Sequence, residues 1–313
     1  MFALLVAFTL YMAFAPVQPV LSAVDLGLRH QSFLPLSSRF EGDSEGVNVP
    51  VMKDPARIGI ETSARAATVI DWRTGRALYR KDADTPYPIA SITKLVTALV
   101  VLDAGVPLDD VVEVWSSDMR PGNIPYIVPG ERVRVSDLMH ASLVASANGA
   151  TIALARSTGL DEDLFAEKMN RLASEMGMES AHFVEPTGLD AGNVASARDV
   201  AILIRHALEN DTVREIVLKD SYTFTAESGM YHSLRSTDAL LDSRISEPPY
   251  GFLGGKTGYL PEAGYCFGAA AHDGDGERVI AVVLGAPTKQ ARFDEVSALI
   301  YWTFDAYDWP RSE

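Results

Sequence analysis

β-Forming residues run from Ala66 to Asp71, break at Arg73-Thr74-Gly75 and resume from Arg76 to Arg80, a pattern that predicts a hairpin. From Ile89 onward the period lengthens. Ile92, Leu95, Val96, Leu99 and Leu102 fall on one helical face, with Pro88 before its start and Gly105 past its end. Ser136-Asp137 predicts the cap of a helix running toward Ala145, and a further helix follows from Gly149 to Ser157, which leaves Ser146 to Asn148 at their junction. Amphipathic helices are also expected over Asp163 to Met176 and Ser196 to Leu208. Ser196 and Asp199 form an S-x-x-D capping box there, which assigns Ser196 a structural role.

Strand character returns at Tyr222 to Ala226, Phe252 to Tyr259, Gly264 to Ala271 and Val279 to Leu284, and Gln290 to Tyr307 reads as a closing helix. Strands at both ends must then pair across a helical middle. The expected fold is α/β (α+β): an antiparallel sheet flanked by helices, with an all-helical subdomain inserted at about 105 to 215. There is no internal repeat.

The N-terminus follows a different pattern. Phe2 to Ala23 carries no charged side chain, so residues 1–23 read as a signal peptide or an N-terminal membrane anchor, and residues 24–55 as a polar linker. The folded domain is expected over 56–313, either periplasmic or otherwise exported, or held at the inner membrane by the N-terminus. At 313 residues and 47% hydrophobic content the chain can bury a large core. Acidic residues outnumber basic ones 42 to 27, for a formal charge of -15, which argues against a nucleic-acid partner. The single cysteine, Cys266, excludes an intramolecular disulfide and a cysteine-rich zinc site, and it reads as a packed core thiol.

Three short clusters carry the chemistry: Ser91-Ile92-Thr93-Lys94, Ser146-Ala147-Asn148 and Lys256-Thr257-Gly258. Each is weak alone; their order and context give them force. Three residues make nearly one helical turn, so Lys94 lies within reach of the Ser91 hydroxyl, and it serves as a base if burial or Lys256 disfavours its ammonium form. Ser91 sits near a helix N-terminus, where its own NH can donate to an oxyanion, with the NH of Tyr259 as the second donor. Ser146 would relay a proton, and Asn148 would hold Lys94 and a substrate carbonyl. Lys256 and Thr257 would bind a substrate carboxylate, on a strand whose glycines let a peptide approach closely. The six histidines are scattered, with no H-E-x-x-H pair and no G-x-S-x-G elbow, and no cofactor or metal is called for. His182 and His232 read as ordinary loop or core residues.

With these motifs in place, the chain resembles the low-molecular-mass penicillin-binding proteins, the serine D-alanyl-D-alanine carboxypeptidases and their endopeptidase relatives. The resemblance covers about Ala66 to Tyr307 and includes PIASITKLVTALVVL from Pro88, LVASAN from Leu143, FVEPTGLD from Phe183, ASARDV from Ala195 and GKTGYLPEAGYC from Gly255. It implies a β-lactamase/transpeptidase-like fold with Ser91 as the acylated nucleophile, Lys94 as base, Ser146 and Asn148 as the second motif, and Lys256, Thr257 and Gly258 as the third. It also implies that Arg292 helps to hold a terminal carboxylate. Substrates would be peptidoglycan stem peptides, and β-lactams would be covalent inhibitors. Two departures stand out: Gly149 follows the second motif where many relatives carry an acid or amide, and Ser236-Thr237-Asp238 replaces a pattern that usually ends in asparagine.

Two rival readings use the same residues. A β-lactamase of class A needs a glutamate four residues before an asparagine, whereas Asn170 has Ala166 in that place and Glu167 one residue too close. A sensor module would capture β-lactam or peptidoglycan without turnover. The sequence leaves carboxypeptidase and endopeptidase open, and with them the oligomeric state.

Overall fold

A computed structural model describes residues 49–56, 59–122 and 124–310. The expected signal peptide or anchor, and the linker as far as residue 48, lie outside the described residues. Five strands form the central sheet: β1 (Ala66–Asp71), β2 (Ala77–Lys81), β3 (Gly251–Leu260), β4 (Gly264–His272) and β5 (Arg278–Ala286). Their order is β3-β4-β5-β1-β2, antiparallel throughout, so the two ends of the chain pair where Val279 to Leu284 meets Asp71 to Ala66. The turn between β1 and β2 is fixed locally. Asp71 Oδ2 accepts from Thr74 N at 2.7 Å, and Gly75 takes the left-handed backbone (φ +70°) that a Cβ would disfavour.

Seven helices occur among the described residues: α1 (Lys94–Asp103), α2 (Val135–Leu143), α3 (Asn148–Arg156), α4 (Glu162–Met176), α5 (Ala197–Glu209), α6 (Asp211–Val217) and α7 (Lys289–Ala306). The sheet is buried on both faces, and the period of two divides it between two cores. Ile280, Val282 and Leu284 join Ala66 and Ile70 in the core beneath α5 and the other helices of the chain's middle. Val279, Ala281 and Val283 join Ala67 and Val69 beneath α7, which contributes Phe293, Val296, Leu299 and Ile300. Helix α1 is buried from Lys94 to Val101, as a helix apolar nearly all round must be. It thereby holds its first residue deep between the sheet and the helices.

Several local expectations needed adjustment. Helix α2 starts at Val135 directly out of a short strand, Arg132–Arg134, with no side-chain cap; Asp137 instead accepts from Tyr222 Oη at 2.7 Å and Arg134 Nε at 2.9 Å. Ser136 is therefore not the cap. Helix α6, capped by Asn210, is too short to display a period, and Ser221–Thr225 gains a partner strand in Tyr231–Arg235. Ser196 and Asp199 do form the capping box of α5. At the end of the stretch read as linker, Val51–Met52 pairs antiparallel with Tyr307–Asp308. No helix among the described residues is long and apolar enough to cross a membrane.

Candidate active site

The chain enters the site through Tyr87–Pro88, which pairs with Val194–Ala195, and then turns sharply. Ala90 has φ +48°, and Ala90–Thr93 forms a 3-10 turn that leads into α1. Three residues complete one turn of such a helix, so positions i and i+3 eclipse. Ser91, partly exposed, thus stands over Lys94, which is fully buried at the first position of α1. Lys94 Nζ is 2.8 Å from Ser91 Oγ, 2.8 Å from Asn148 Oδ1 and 2.6 Å from the carbonyl oxygen of Thr187.

Burial drives the Lys94 amine well below the usual lysine range; the charge of Lys256 adds to the effect and Glu185 opposes it. A neutral amine has two N–H donors and one lone pair. The Thr187 carbonyl can only accept, and Asn148 also presents its oxygen, because its Nδ2 donates to Pro121 O at 3.0 Å. Both N–H bonds are thereby used, and the lone pair faces Ser91 Oγ. That is the geometry of a base taking a hydroxyl proton.

The second cluster lies where α2 meets α3. Ser146 adopts a left-handed backbone (φ +58°) in the connection, and Asn148 opens α3. Lys256 Nζ donates to Ser146 Oγ at 3.0 Å and to Thr257 O at 3.2 Å, joining the second cluster to the third. Lys256 is also buried, and its amine is lowered to about 7 by desolvation and by the Arg292 charge, against the attraction of Asp238. The third cluster sits on β3, an edge strand of the sheet, and lies against the nucleophile turn. A Cβ at Gly258 would come 2.5 Å from Ile89 O and 3.3 Å from Ser91 N, so only glycine permits this approach.

Thr257 Oγ1 is 2.6 Å from Thr237 Oγ1. Arg292, buried on the first turns of α7, donates from Nη1 to Gly258 O at 3.0 Å. The structure thus brings Ser91, Lys94, Ser146, Asn148, Lys256, Thr257, Gly258 and Arg292 together through one set of contacts. Tyr259 follows on β3 with its ring half-exposed and stacked on Tyr265 at 4.3 Å.

Sequence reasoning missed the loop that supports this arrangement. Glu185 accepts from the backbone N of Thr187 at 2.7 Å and of Leu189 at 2.9 Å, and from Asn193 Nδ2 at 3.0 Å, which fixes the Thr187 carbonyl against Lys94. The signal was present in FVEPTGLD, an acid followed by Thr-Gly. Elsewhere, His232 pairs with Glu131 at 2.9 Å, and Cys266 is buried with its thiol pushed up to about 11 by desolvation. Asn170 brackets Phe183 through N and O, and Glu167 is exposed on α4, so α4 supplies no carboxylate in the manner of a class A β-lactamase.

Residues 51–288 match the family model described as D-alanyl-D-alanine carboxypeptidase. The chain is 31% identical to the D-alanyl-D-alanine carboxypeptidase DacF of Bacillus subtilis, over 78% of this chain and 63% of that protein. It is 32% identical to the D-alanyl-D-alanine endopeptidase of Pseudomonas aeruginosa, over 77% of each. Against the carboxypeptidase DacC of Escherichia coli it spans 62% of the relative's length, at 33% identity over 78% of this chain. Among solved structures, the Streptomyces K15 DD-transpeptidase superposes with a TM-score of 0.70 at 27% identity, covering 80% of this chain and all of that one. The D-alanyl-D-alanine carboxypeptidase from Mycobacterium tuberculosis H37Rv gives 0.73 at 28% identity, covering 82% and 96%. The sheet and helices are thus those of the transpeptidase-like fold.

Proposed function

We propose, for a chain that belongs to the D-alanyl-D-alanine carboxypeptidase family, that it is a serine D,D-peptidase acting on peptidoglycan stem peptides through an ester on Ser91. The observation that carries this reading is the buried Lys94 Nζ 2.8 Å from Ser91 Oγ with its other two contacts on acceptors, so that a neutral amine there turns its lone pair onto the hydroxyl. Ser91 Oγ attacks the carbonyl carbon of the penultimate D-alanine as its proton passes to Lys94 Nζ. The NH groups of Ser91 and Tyr259 hold the oxyanion, and Asn148 steadies the substrate carbonyl side as well as the base.

The C–N bond then breaks, and the leaving nitrogen takes a proton relayed through Ser146. Water hydrolyses the ester, with Lys94 again as base. Lys256, Thr257 and Arg292 receive the carboxylate beyond the scissile bond, and Gly258 lets the strand that carries them lie against the Ser91 turn. Among the described residues the outer edge of β3 has no partner strand, which suits an extended peptide lying along it. β-Lactams acylate the same serine. The protein works outside the cytoplasm, delivered by its N-terminal segment as an exported or anchored enzyme.

Digestion of purified peptidoglycan by the protein and by Ser91→Ala tests the reading. Loss of cross-linked dimers identifies an endopeptidase, and loss of pentapeptide with release of D-alanine a carboxypeptidase. Unchanged peptidoglycan, together with the absence of a covalent penicillin adduct, refutes it. Rapid turnover of nitrocefin would make it a β-lactamase instead.

A further inference from the structure

The segment Ser236-Thr237-Asp238 is clamped between the second and third clusters. Thr237 N donates to Val144 O at 3.1 Å, two residues before Ser146, and Thr237 Oγ1 meets Thr257 Oγ1 on β3. Asp238 follows, partly exposed as a residue but with Oδ2 of its carboxyl buried. Oδ1 accepts from Leu240 N at 2.8 Å. Oδ2 is buried without a hydrogen-bond partner, and so is Nε of Arg292. A buried carboxyl oxygen left unpaired is costly, and the charges that face it are those of Lys256 on β3 and Arg292 on α7. Arg292 in turn faces Tyr265 and the buried thiol of Cys266, both on β4, and Lys256 faces Lys94.

We propose that Asp238 is a positioning residue of this cleft, whose inward carboxylate keeps Lys256 in the cationic form that receives the substrate's terminal carboxylate. This rests on the serine D,D-peptidase reading above. The physical argument is a balance of buried charge. Three basic side chains, Lys94, Lys256 and Arg292, are buried together, and two acids face them. Glu185 lies toward Lys94, and its oxygens are occupied by the backbone of its own loop.

Asp238 is the acid that faces both Lys256 and Arg292. Burial pushes Asp238 up to about 7, against the Leu240 N–H bond and the Lys256 charge, and pushes Lys256 down to about 7, against the attraction of Asp238, so charge on either one favours charge on the other. Without the acid, desolvation and Arg292 act on Lys256 unopposed. Its proton is then lost at lower pH, the carboxylate site weakens, and the repulsion that holds Lys94 neutral weakens with it.

The test compares the pH profile of kcat/KM for a diacyl-lysyl-D-alanyl-D-alanine peptide in the native protein and in Asp238→Asn. The alkaline limb is expected to move about one unit lower in the variant, the smallest shift that removal of an adjacent opposite charge usually produces. Stoichiometric penicillin labelling of the variant checks that the cleft is intact. Should Asp238→Asn not fold, Asp238→Ser still offers Leu240 N an acceptor without the charge. Superimposable profiles in a variant that labels fully overturn the proposal and leave the peptidase reading standing.

Failure of the native protein to label or to release D-alanine refutes that reading instead. Infrared difference titration then still decides the coupling: a carboxyl that titrates near neutrality, absent from Asp238→Asn, is expected to titrate at higher pH in Lys256→Met. An unmoved midpoint shows that Asp238 and Lys256 are independent.

Discussion

A Cβ on Gly188 would stand 1.9 Å from the carbonyl oxygen of Ala90, so the Glu185 loop lies directly against the residue that precedes the nucleophile. Gly188 also holds φ +81°, a conformation that costs a residue with a Cβ about 1–3 kcal/mol before any clash is counted. Gly188→Ala is expected to lower the melting temperature and to slow penicillin acylation about 10²-fold, since a displacement near 1 Å at a reacting centre carries that order of penalty. Stopped-flow labelling beside a thermal melt checks both.

Lys94→Gln keeps hydrogen-bond donors for Thr187 O and Asn148 Oδ1 but removes the lone pair that faces Ser91. Acylation is expected to fall about 10²–10⁴-fold, the usual contribution of a positioned base, while the fold is retained. Rates measured with labelled penicillin, alongside circular dichroism, decide. A variant acylating at the native rate would remove Lys94 from the mechanism.

The acylation rate should follow a bell in pH. Lys94 must be neutral to act as base, so activity falls on the acid side as that amine takes up a proton below its depressed pKa. Lys256 must be cationic to hold a carboxylate, so activity falls on the other side as pH rises through about 7. A rate that climbs steadily to pH 10 would contradict the second assignment.

Phe293 on α7 packs edge-on to Phe267 at 5.0 Å, and both are buried. Phe293→Ala is expected to cost about 3–5 kcal/mol by denaturant unfolding, from lost transfer energy and the cavity left behind. Because Arg292 precedes it, KM for a substrate with a free carboxylate should rise in the same variant.

Cys266 is buried with a raised thiol, so it should resist disulfide reagents in the native protein and react only on unfolding. Thiol titration with and without denaturant is the measurement. Prompt reaction at pH 7.5 in native buffer would show the thiol to be accessible.

The strands and long helices were legible because their periods are long enough to count: α4 and α7 begin within one residue of expectation, and the sheet strands within one or two. The three clusters were legible for a different reason, since each is contiguous in the chain. What escaped the sequence was contact made by main-chain atoms and by segments outside the three clusters. The carbonyl of Thr187 is a backbone atom that any residue carries, so nothing in the letters announces its hydrogen bond to Lys94. Thr237 and Thr257 are 20 residues apart and meet only because the segment carrying Thr237 crosses from α2 to β3. The Ser136 cap failed because the strand Arg132–Arg134 runs straight into α2 and leaves Asp137 to Tyr222 and Arg134.

The grip on the Lys94 amine from Thr187 is made by main chain, and one acid, Glu185, folds the span that presents it. Side chains along that span that point to solvent, Val184 among them, are therefore free to drift over generations without disturbing the base. Diversity should gather there, in a rim that can change while the contact between Lys94 and Ser91 beneath it stays the same.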